Sequence, residues 1–326
     1  MHCPKFLQGK INLDQRIIIF FEELSVITLI YLPLLLYISF DVHLFQNVIF
    51  DISMIFAVLV QIGAIYSAFI EPRIIKVRKI NIELKDLSDN IWIVFFSDLH
   101  LGPYKKYDFV NKIVIKVNEL NPDIILIGGD FITGNKNTFK YLTPLKNLQA
   151  EYSILAVLGN HDYDLAFDFE KARYNLADEL EKFLYSLNIS VLRNSSKLIK
   201  TKKGNINIVG LDDLWAEKIN VNQAFSQTSE EYHTIALFHN PDSIKKIIDK
   251  KIDMFLAGHT HGNTFRFPPG RPLIPFIRNI KLPPRYLKGF HKYRKIPIYI
   301  TSGVGEAVTR MRFLGNFPEL IVIDLK

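Results

Sequence analysis

Residues 91–102 read IWIVFFSDLHLG. The first six are apolar without alternation, which is typical of a strand covered on both faces. Directly after them come Asp98 and His100, a carboxylate and an imidazole at the carboxyl end of the predicted strand. Ligands in α/β folds bind at such strand ends. This stretch therefore predicts a buried sheet with a site at its edge.

Seven more apolar runs of strand length follow, and helical patterns separate many of them. The runs are 124–127, 153–158, 207–210, 234–238, 254–257, 297–301 and 320–324, and the helical patterns include 107–120, 167–187 and 242–248. Residues 197–210 also predict a hairpin with Gly204-Asn205 at its turn. The pattern indicates an α/β sandwich of mixed sheets.

Four of these runs also end in side chains that bind metals. These are Asp130 after 124–127, Asn160, His161 and Asp162 after 153–158, His239 after 234–238, and His259 and His261 after 254–257. Each ending alone is most often a turn or a helix cap. With Asp98 and His100 after 91–96, five predicted strands in one sheet system end in such side chains. Together they predict a shared site.

Composition limits what that site can hold. The chain has 326 residues, 48% of them hydrophobic, and a single cysteine, Cys3. One cysteine excludes an internal disulfide framework and thiolate metal sites. His, Asp and Asn ligands suit Mn, Fe, Co or Zn better than a structural zinc cage. The formal net charge of +7 is compatible with an anionic membrane or a phosphorylated substrate, and without a recognition motif or basic stripe we expect no nucleic-acid partner.

The chain before residue 71 predicts membrane attachment. Residues 24–40 and 52–70 carry no charge and span roughly 25 and 28 Å as helices, close to the hydrocarbon thickness of a bilayer. Lys and Arg flank the pair but are missing from the connecting segment, which favours both ends inside. We expect a membrane hairpin in residues 1–71 and a cytoplasmic catalytic domain in 72–326, at the inner membrane.

Other interpretations of the N-terminal segment stay open. The apolar stretch is too long for a cleaved signal peptide and lacks an A-x-A site. A buried helical hairpin of a soluble protein would show the same hydrophobicity. Pro33 lies inside the first span, and Glu22 and Glu23 lie at its start, so a hairpin that dips into one leaflet is a further alternative.

The ordered set D-x-H, G-D, G-N-H-D, H and G-H-x-H resembles the calcineurin-like metallophosphoesterases. The resemblance covers about residues 91–262 and implies a four-layer α/β/β/α sandwich of mixed sheets. It implies two divalent cations, with Mn preferred, and phosphoester or anhydride hydrolysis by a metal-bridging hydroxide.

The resemblance also implies a role for each residue. Asp98, His100 and His261 would hold one metal, Asn160, His239 and His259 the second, and Asp130 would bridge both. The catalytic residues would be His161, which assists departure of the leaving group, and Asp162, which orients it.

The tail at 263–295 and the predicted hairpin resemble membrane-associated bacterial members of that family. These include the UDP-2,3-diacylglucosamine hydrolases of lipid A synthesis. The basic and apolar tail predicts a surface for an anionic lipid head group, with Arg266 and Arg312 as substrate contacts, although an ordinary solvated loop has similar composition.

Three functions follow from this interpretation. The first is hydrolysis of a lipid-linked phosphodiester or phosphoanhydride such as UDP-2,3-diacylglucosamine. The second is a less selective phosphodiesterase or phosphatase acting on nucleotides or glycerophosphodiesters. The third is a non-catalytic scaffold, against which the intact set of ligands argues. The sequence makes no prediction of oligomeric state.

Overall fold

The structure is a computed structural model that describes residues 46–85, 87–102, 105–165, 171–262, 266–267, 271–272, 280–306, 312 and 315–326. The predicted helix 24–40 lies outside the described residues, as does most of 263–279.

Fourteen strands are present in the described part of the chain. They are β1 (Lys76–Ile82), β2 (Ile91–Phe96), β3 (Ile124–Ile127), β4 (Ser153–Ala156), β5 (Ser190–Val191), β6 (Ser195–Thr201), β7 (Gly204–Gly210), β8 (His233–Leu237), β9 (Met254–Ala257), β10 (Arg266–Phe267), β11 (Arg271–Pro272), β12 (Gly289–Tyr293), β13 (Ile296–Ile300) and β14 (Glu319–Leu325). Apart from the short β10–β11 pair, they form two six-stranded mixed sheets.

The first sheet has the order β1-β14-β2-β3-β4-β5 and is parallel except between β14 and β2. The second has the order β12-β13-β9-β8-β7-β6, with a parallel centre and an antiparallel pair at each edge. The prediction of mixed sheets is confirmed. The five strands that end in predicted ligands, however, are divided between the sheets. Three of them belong to the first sheet and two to the second.

Both faces of the central strands are buried, which explains the unbroken apolar runs. In β2, Ile93 and Phe95 point between the sheets, where they share a cluster with Ile235 and Leu256 of the second sheet. The alternate residues of β2 point the other way, as Phe96 does, into a separate cluster.

Helices cover the outer face of the first sheet. In the described ranges, the α-helices are α1 (Gln46–Ile65), α2 (Tyr107–Asn118), α3 (Tyr174–Ser186) and α4 (Val221–Phe225). Helices α2 and α3 bury apolar side chains against the outer face of β2 and β3. The second sheet is covered more thinly, by α4 and the 3-10 segments Pro241–Lys246 and Pro284–Leu287.

Helix α1 differs from the others because its apolar side chains are exposed, Ile55 to 61% and Phe56 to 67%. With the turns that follow, residues 55–73 are by length and composition long and apolar enough to cross a membrane. The helix continues into a π turn, Tyr66–Ile70, and a 3-10 turn, Glu71–Arg73. Ser67 and Glu71 are fully buried there. The boundary predicted at 71/72 thus falls within a segment that packs on the catalytic fold.

One local prediction needs correction, and one strand was missed. In the hairpin of β6 and β7, Thr201 pairs with Gly204, so the turn is Lys202-Lys203 and Gly204-Asn205 lies in the strand. The Thr201 side chain closes this turn by accepting a hydrogen bond from Lys203 N at 3.0 Å. Strand β1 was not predicted because it is a charged, exposed edge strand with little apolar signal.

Replacing Phe95 with alanine would remove a fully buried ring from between the sheets. We expect the Phe95→Ala variant to lose about 3–5 kcal/mol of unfolding free energy, measured by chemical denaturation of the purified protein. Phe290, on edge strand β12, is 44% exposed, so Phe290→Ala is the matched control and should change stability far less. Equal losses would contradict the placement of the core.

Candidate metal centre

The site lies where the carboxyl ends of strands from both sheets face each other. The loops after β2 and β3 run side by side, with Asp98 N donating to Gly129 O and His100 N donating to Asp130 O, both at 2.9 Å. The second sheet joins them because His259 N donates to Asp98 Oδ1 at 3.1 Å. The predicted ligands are thereby brought into one place.

One group of candidate ligands consists of Asp98, His100 and His261, all buried. The two imidazoles meet through their Nε2 atoms at 3.0 Å. Asp98 Oδ1 lies 3.5 Å from His261 Nε2 and 3.8 Å from His100 Nε2. Three lone-pair donors thus converge on a small volume, as a cation site requires.

The second group consists of Asp130, His239 and His259, also buried. His239 Nε2 lies 3.1 Å from Asp130 Oδ2 and 3.3 Å from His259 Nδ1. The other ring nitrogen of His239, Nδ1, lies 2.7 Å from Gly128 O. If Nδ1 carries the proton and donates a hydrogen bond to that carbonyl, Nε2 presents its lone pair to the group. This arrangement is common for metal-binding histidine.

Asp130 belongs to the second group and also contacts the first. Its Oδ2 lies 3.3 Å from His100 Nε2 in the first group and 3.1 Å from His239 Nε2 in the second. Its Oδ1 accepts a hydrogen bond from His161 N at 2.9 Å, which fixes the carboxylate plane. This is the position that a bridging ligand would occupy.

The chemistry of these donors fits a pair of cations. Asn160 donates through Nδ2 to Leu165 O at 2.6 Å, while its Oδ1 is buried without a hydrogen-bond partner among the described residues. A buried amide oxygen without a partner is costly unless something binds it. Together with four imidazoles and two carboxylates, it gives a nitrogen and oxygen donor set suited to Mn, Fe, Co or Zn.

The side chains of the site strongly shift one another's pKa values. Burial would raise the pKa of Asp130, but the neighbouring His239, His161 and His100 hold it well below its usual range. Burial would lower the pKa of His239, yet the Asp130 carboxylate raises it to about 10. Burial, then the charge of His239, lowers the pKa of His259 to about 3. Protons therefore compete for the positions that cations would take.

Five of the seven predicted metal ligands adopt a left-handed backbone conformation. They are Asp98, His100, Asp130, His259 and His261, with φ between 45° and 69°. This conformation costs a non-glycine residue on the order of 1–2 kcal/mol. Such strain clusters at functional sites, where the surrounding structure holds it in place. The loops are thus shaped for the positions of their side chains.

Glycine is required where these loops approach one another. A Cβ atom on Gly159 would collide with the Asp130 carboxylate, and one on Gly258 would collide with Ser97 and Asp98. The Gly-Asn-His-Asp and Gly-His-Thr-His motifs therefore need their first residue for close packing as well as their polar residues for binding.

His161 and Asp162 follow Asn160 in a 3-10 turn. The His161 ring lies edge to face with His100, the centroids 4.8 Å apart, and it is only partly buried, so it borders the ligand groups. His161 also forms a potential ligand group with His100 and Asp130.

Asp162 does not occupy the orienting position predicted for it. Its Oδ1 accepts from Phe131 N at 2.8 Å and Ile132 N at 3.2 Å, and its Oδ2 accepts from Gly159 N at 2.9 Å. Asp162 thus joins the loops after β3 and β4, because three backbone amides point at its carboxylate.

Arg266 and Arg312 were the predicted substrate contacts. The side chain of Arg266 lies outside the described residues. Arg312 is 3% exposed, and its guanidinium donates to the carbonyls of Ser302, Gly303, Gly305 and Asn316. Backbone carbonyls thus take up those donors, and the structure places Arg312 as a brace of the loop beside the site instead of as a substrate contact.

The loop after β7 also reaches the site, although its sequence was not predicted to do so. The Trp215 ring lies edge to face with His259, with centroids 4.7 Å apart. Asp213 is buried and holds this loop by accepting from Trp215 N at 2.8 Å. Residues 211–215, LDDLW, follow β7 just as the ligand loops follow their strands. That position at a strand end is the feature of the sequence that could have identified this loop.

Comparison with known proteins agrees with this site. The sequence model of the calcineurin-like phosphoesterase family matches residues 91–263. Among relatives, the uncharacterized metallophosphoesterase YkoQ of Bacillus subtilis is 30% identical over 83% of this chain and 98% of its own. Phosphodiesterase YaeI of Escherichia coli is 31% identical over 74% and 84%. The UDP-2,3-diacylglucosamine pyrophosphatase LpxG of Chlamydia trachomatis is 29% identical over 63% and 74%.

The chain belongs to the calcineurin-like phosphoesterases, a family of metal-dependent phosphoester hydrolases, as the sequence motifs predicted. It spans 61% of the length of its Helicobacter pylori metallophosphoesterase relatives, to which it is 31% identical.

Replacing Asp130 with asparagine would remove the charge shared by both ligand groups. We expect Asp130→Asn to lose both cations and the hydrolytic activity, because a bridging carboxylate serves two metals. Metal content per chain, measured by plasma mass spectrometry, checks this. The exposed Asp249 offers a matched control, since Asp249→Asn should keep its metal. Two metals retained in Asp130→Asn would contradict the bridging role.

Proposed function

We propose that this protein is a membrane-anchored dinuclear phosphohydrolase that cleaves a phosphodiester or phosphoanhydride in a lipid-linked substrate. The observation that carries the catalytic part is the Asp130 carboxylate, whose Oδ2 lies between His100 and His239 at 3.3 and 3.1 Å. Two divalent cations held there, with Mn preferred, would lower the pKa of a shared water and offset charge on the phosphoryl oxygens.

The protein's own residues divide the remaining work. Asp98, His100 and His261 would hold one cation. Asn160, His239 and His259 would hold the other. His161 is partly exposed at their edge and is suited to give a proton to the leaving oxygen. Neutral imidazoles leave the loaded site cationic enough to accept an anionic phosphoryl group.

Attachment to the cytoplasmic membrane is supported by α1. Its exposed face carries Ile55, Phe56 and Leu59, each at least 60% exposed, and hydrocarbon is the environment that suits such a face. Arg73 and Lys76 are exposed just beyond the helix, where they would meet anionic lipid head groups on the cytoplasmic side.

A lipid-linked substrate is supported by similarity to the Chlamydia trachomatis pyrophosphatase, together with the exposed apolar helix. UDP-2,3-diacylglucosamine is the named candidate, which would place the enzyme in lipid A synthesis. An anchor confines the site to the surface that carries an amphiphilic substrate, and this raises the effective substrate concentration.

The second candidate is a less selective phosphodiesterase for nucleotides or glycerophosphodiesters, which similarity to YaeI favours. Purified protein with Mn, assayed side by side on UDP-2,3-diacylglucosamine and on a soluble nucleotide diester, separates the two. A higher kcat/KM that depends on the acyl chains supports the lipid substrate. Equal kcat/KM values on the two substrates would favour the broad phosphodiesterase.

The His161→Ala variant should keep both metals and lose about 10²–10⁴-fold in kcat, the usual contribution of a general acid. The loss should shrink for a nitrophenyl ester, whose leaving group needs no proton. Metal analysis and kcat on both kinds of ester check this. Loss of a metal would make His161 a ligand instead.

The anchor is tested by placing charge on the exposed face of α1. A double variant, Ile55→Asp with Leu59→Asp, should shift protein from the membrane to the soluble fraction after alkaline extraction, because each charge costs about 2.5–3.5 kcal/mol within a bilayer. Ile115 on α2 is 52% exposed, and Ile115→Asp is the control that should stay with the membrane. Wild-type protein in the soluble fraction would contradict the anchor.

A further inference from the structure

The end of the apolar helix is packed into the catalytic fold. Side chains along α1 are largely exposed, whereas Ser67 and Glu71 in the turns that follow are fully buried. A backbone hydrogen bond also ties these turns to the catalytic fold, because Arg312 N donates to Ser67 O at 2.9 Å. A segment that served only as a flexible tether would need neither the burial nor this bond.

Glu71 brings a buried carboxylate to the loop around residues 312–316. Neither of its oxygens has a hydrogen bond of good geometry among the described residues. Burial raises the pKa of Glu71, and the backbone amides of Asn316 and Gly315 and the charges of Arg312 and Lys288 oppose that rise. A buried carboxylate is costly without compensation, and the backbone bond from Arg312 N to Ser67 O holds the turns that carry Glu71 against this loop.

Asn316 carries the connection to a metal ligand. It is 1% exposed, and its Nδ2 donates to His261 O at 2.8 Å, while its Oδ1 accepts from Lys288 Nζ at 2.9 Å. His261 has a left-handed backbone with φ of 49°, a conformation that depends on surrounding support. The bond from Asn316 supplies part of that support.

The same loop reaches Asp98. Arg312 holds the carbonyls of Ser302, Gly303 and Gly305, and Gly305 N donates to Asp98 O at 2.7 Å. Asp98 and His261 belong to the same ligand group. Among the residues proposed for the second metal, His239 and Asn160 are held by Gly128 O and Leu165 O, which lie in other loops.

We propose that Glu71 is a positioning residue of the metal centre, acting through Asn316 on the Asp98, His100 and His261 half. The turns that end the apolar helix are thereby part of the support of one cation site. The inference rests on the dinuclear centre proposed above and is independent of the substrate.

The test uses the full-length protein in lipid nanodiscs, stripped of metal and titrated with Mn²⁺. Free Mn²⁺ is followed by electron paramagnetic resonance, and the coupled signal of paired ions reports occupation of both sites. We expect Glu71→Ala to weaken one site about 10–100-fold, the usual effect of losing a group that supports a metal ligand, and to leave the other within about threefold. Asn316→Ala should weaken the same site.

Glu83→Ala is the matched control, because Glu83 is exposed just after β1 and should leave both sites unchanged. In Glu71→Ala, activity on a soluble diester should recover as Mn²⁺ is raised, whereas a merely unfolded fraction would not recover. If Glu71→Ala fails to fold, Glu71→Gln keeps the side-chain volume and removes the charge, and the same loss at one site is expected.

Unchanged affinity at both sites in a folded Glu71 variant would overturn the inference, as would equal weakening of the two. These outcomes are distinct from failure of the proposed function. Wild-type protein that binds two ions but ignores lipid-linked substrates would contradict the substrate assignment alone, since the titration requires no substrate.

Discussion

A single buried carboxylate, that of Asp130, is shared between two sets of imidazoles, and much of the architecture serves to hold it there. Its Oδ1 is fixed by His161 N, and its Oδ2 faces His100 and His239. Two groups of donors brought together around one anion need positive charge, from protons or from metal cations, to complete the charge balance. The facing sheets supply the frame, because their strand ends deliver ligands from opposite sides.

The backbone around this carboxylate is strained and closely packed. Left-handed residues recur among the ligands, and glycines stand where loops cross. Asp162 reinforces the crossing by accepting three amide hydrogen bonds from two loops. These bonds tie the turn of His161 to the ligand loops, and Asn316 ties His261 to the loop beside the end of α1.

Much of this arrangement was predictable from the sequence because it depends on local patterns. Central strands buried on both faces give unbroken apolar runs, and ligands that follow them directly share the edge where the strands end. The division between two sheets was not predictable, since periodicity does not reveal which strands pair. The edge strand β1 escaped detection because its exposed Lys and Arg side chains carry no apolar pattern.

The role of a polar residue was harder to predict than its presence in the site. Asp162 and Arg312 lie beside the ligands, as expected, but their hydrogen-bond partners are backbone groups. The tertiary structure decides which backbone groups a side chain meets, so the sequence did not predict these bonds. Glu71 belongs to the same class. It stands at the end of an apolar helix in the sequence, and only the folded chain brings it to the loop that supports His261.

Whether Asp130 bridges two cations can be seen by anomalous diffraction at the manganese edge, from crystals grown with Mn²⁺. We expect two peaks about 3.5–4 Å apart, one on each side of the Asp130 carboxylate, with Asn160 and His239 bound to the same peak. A single peak, or two peaks of which only one contacts Asp130, would contradict it.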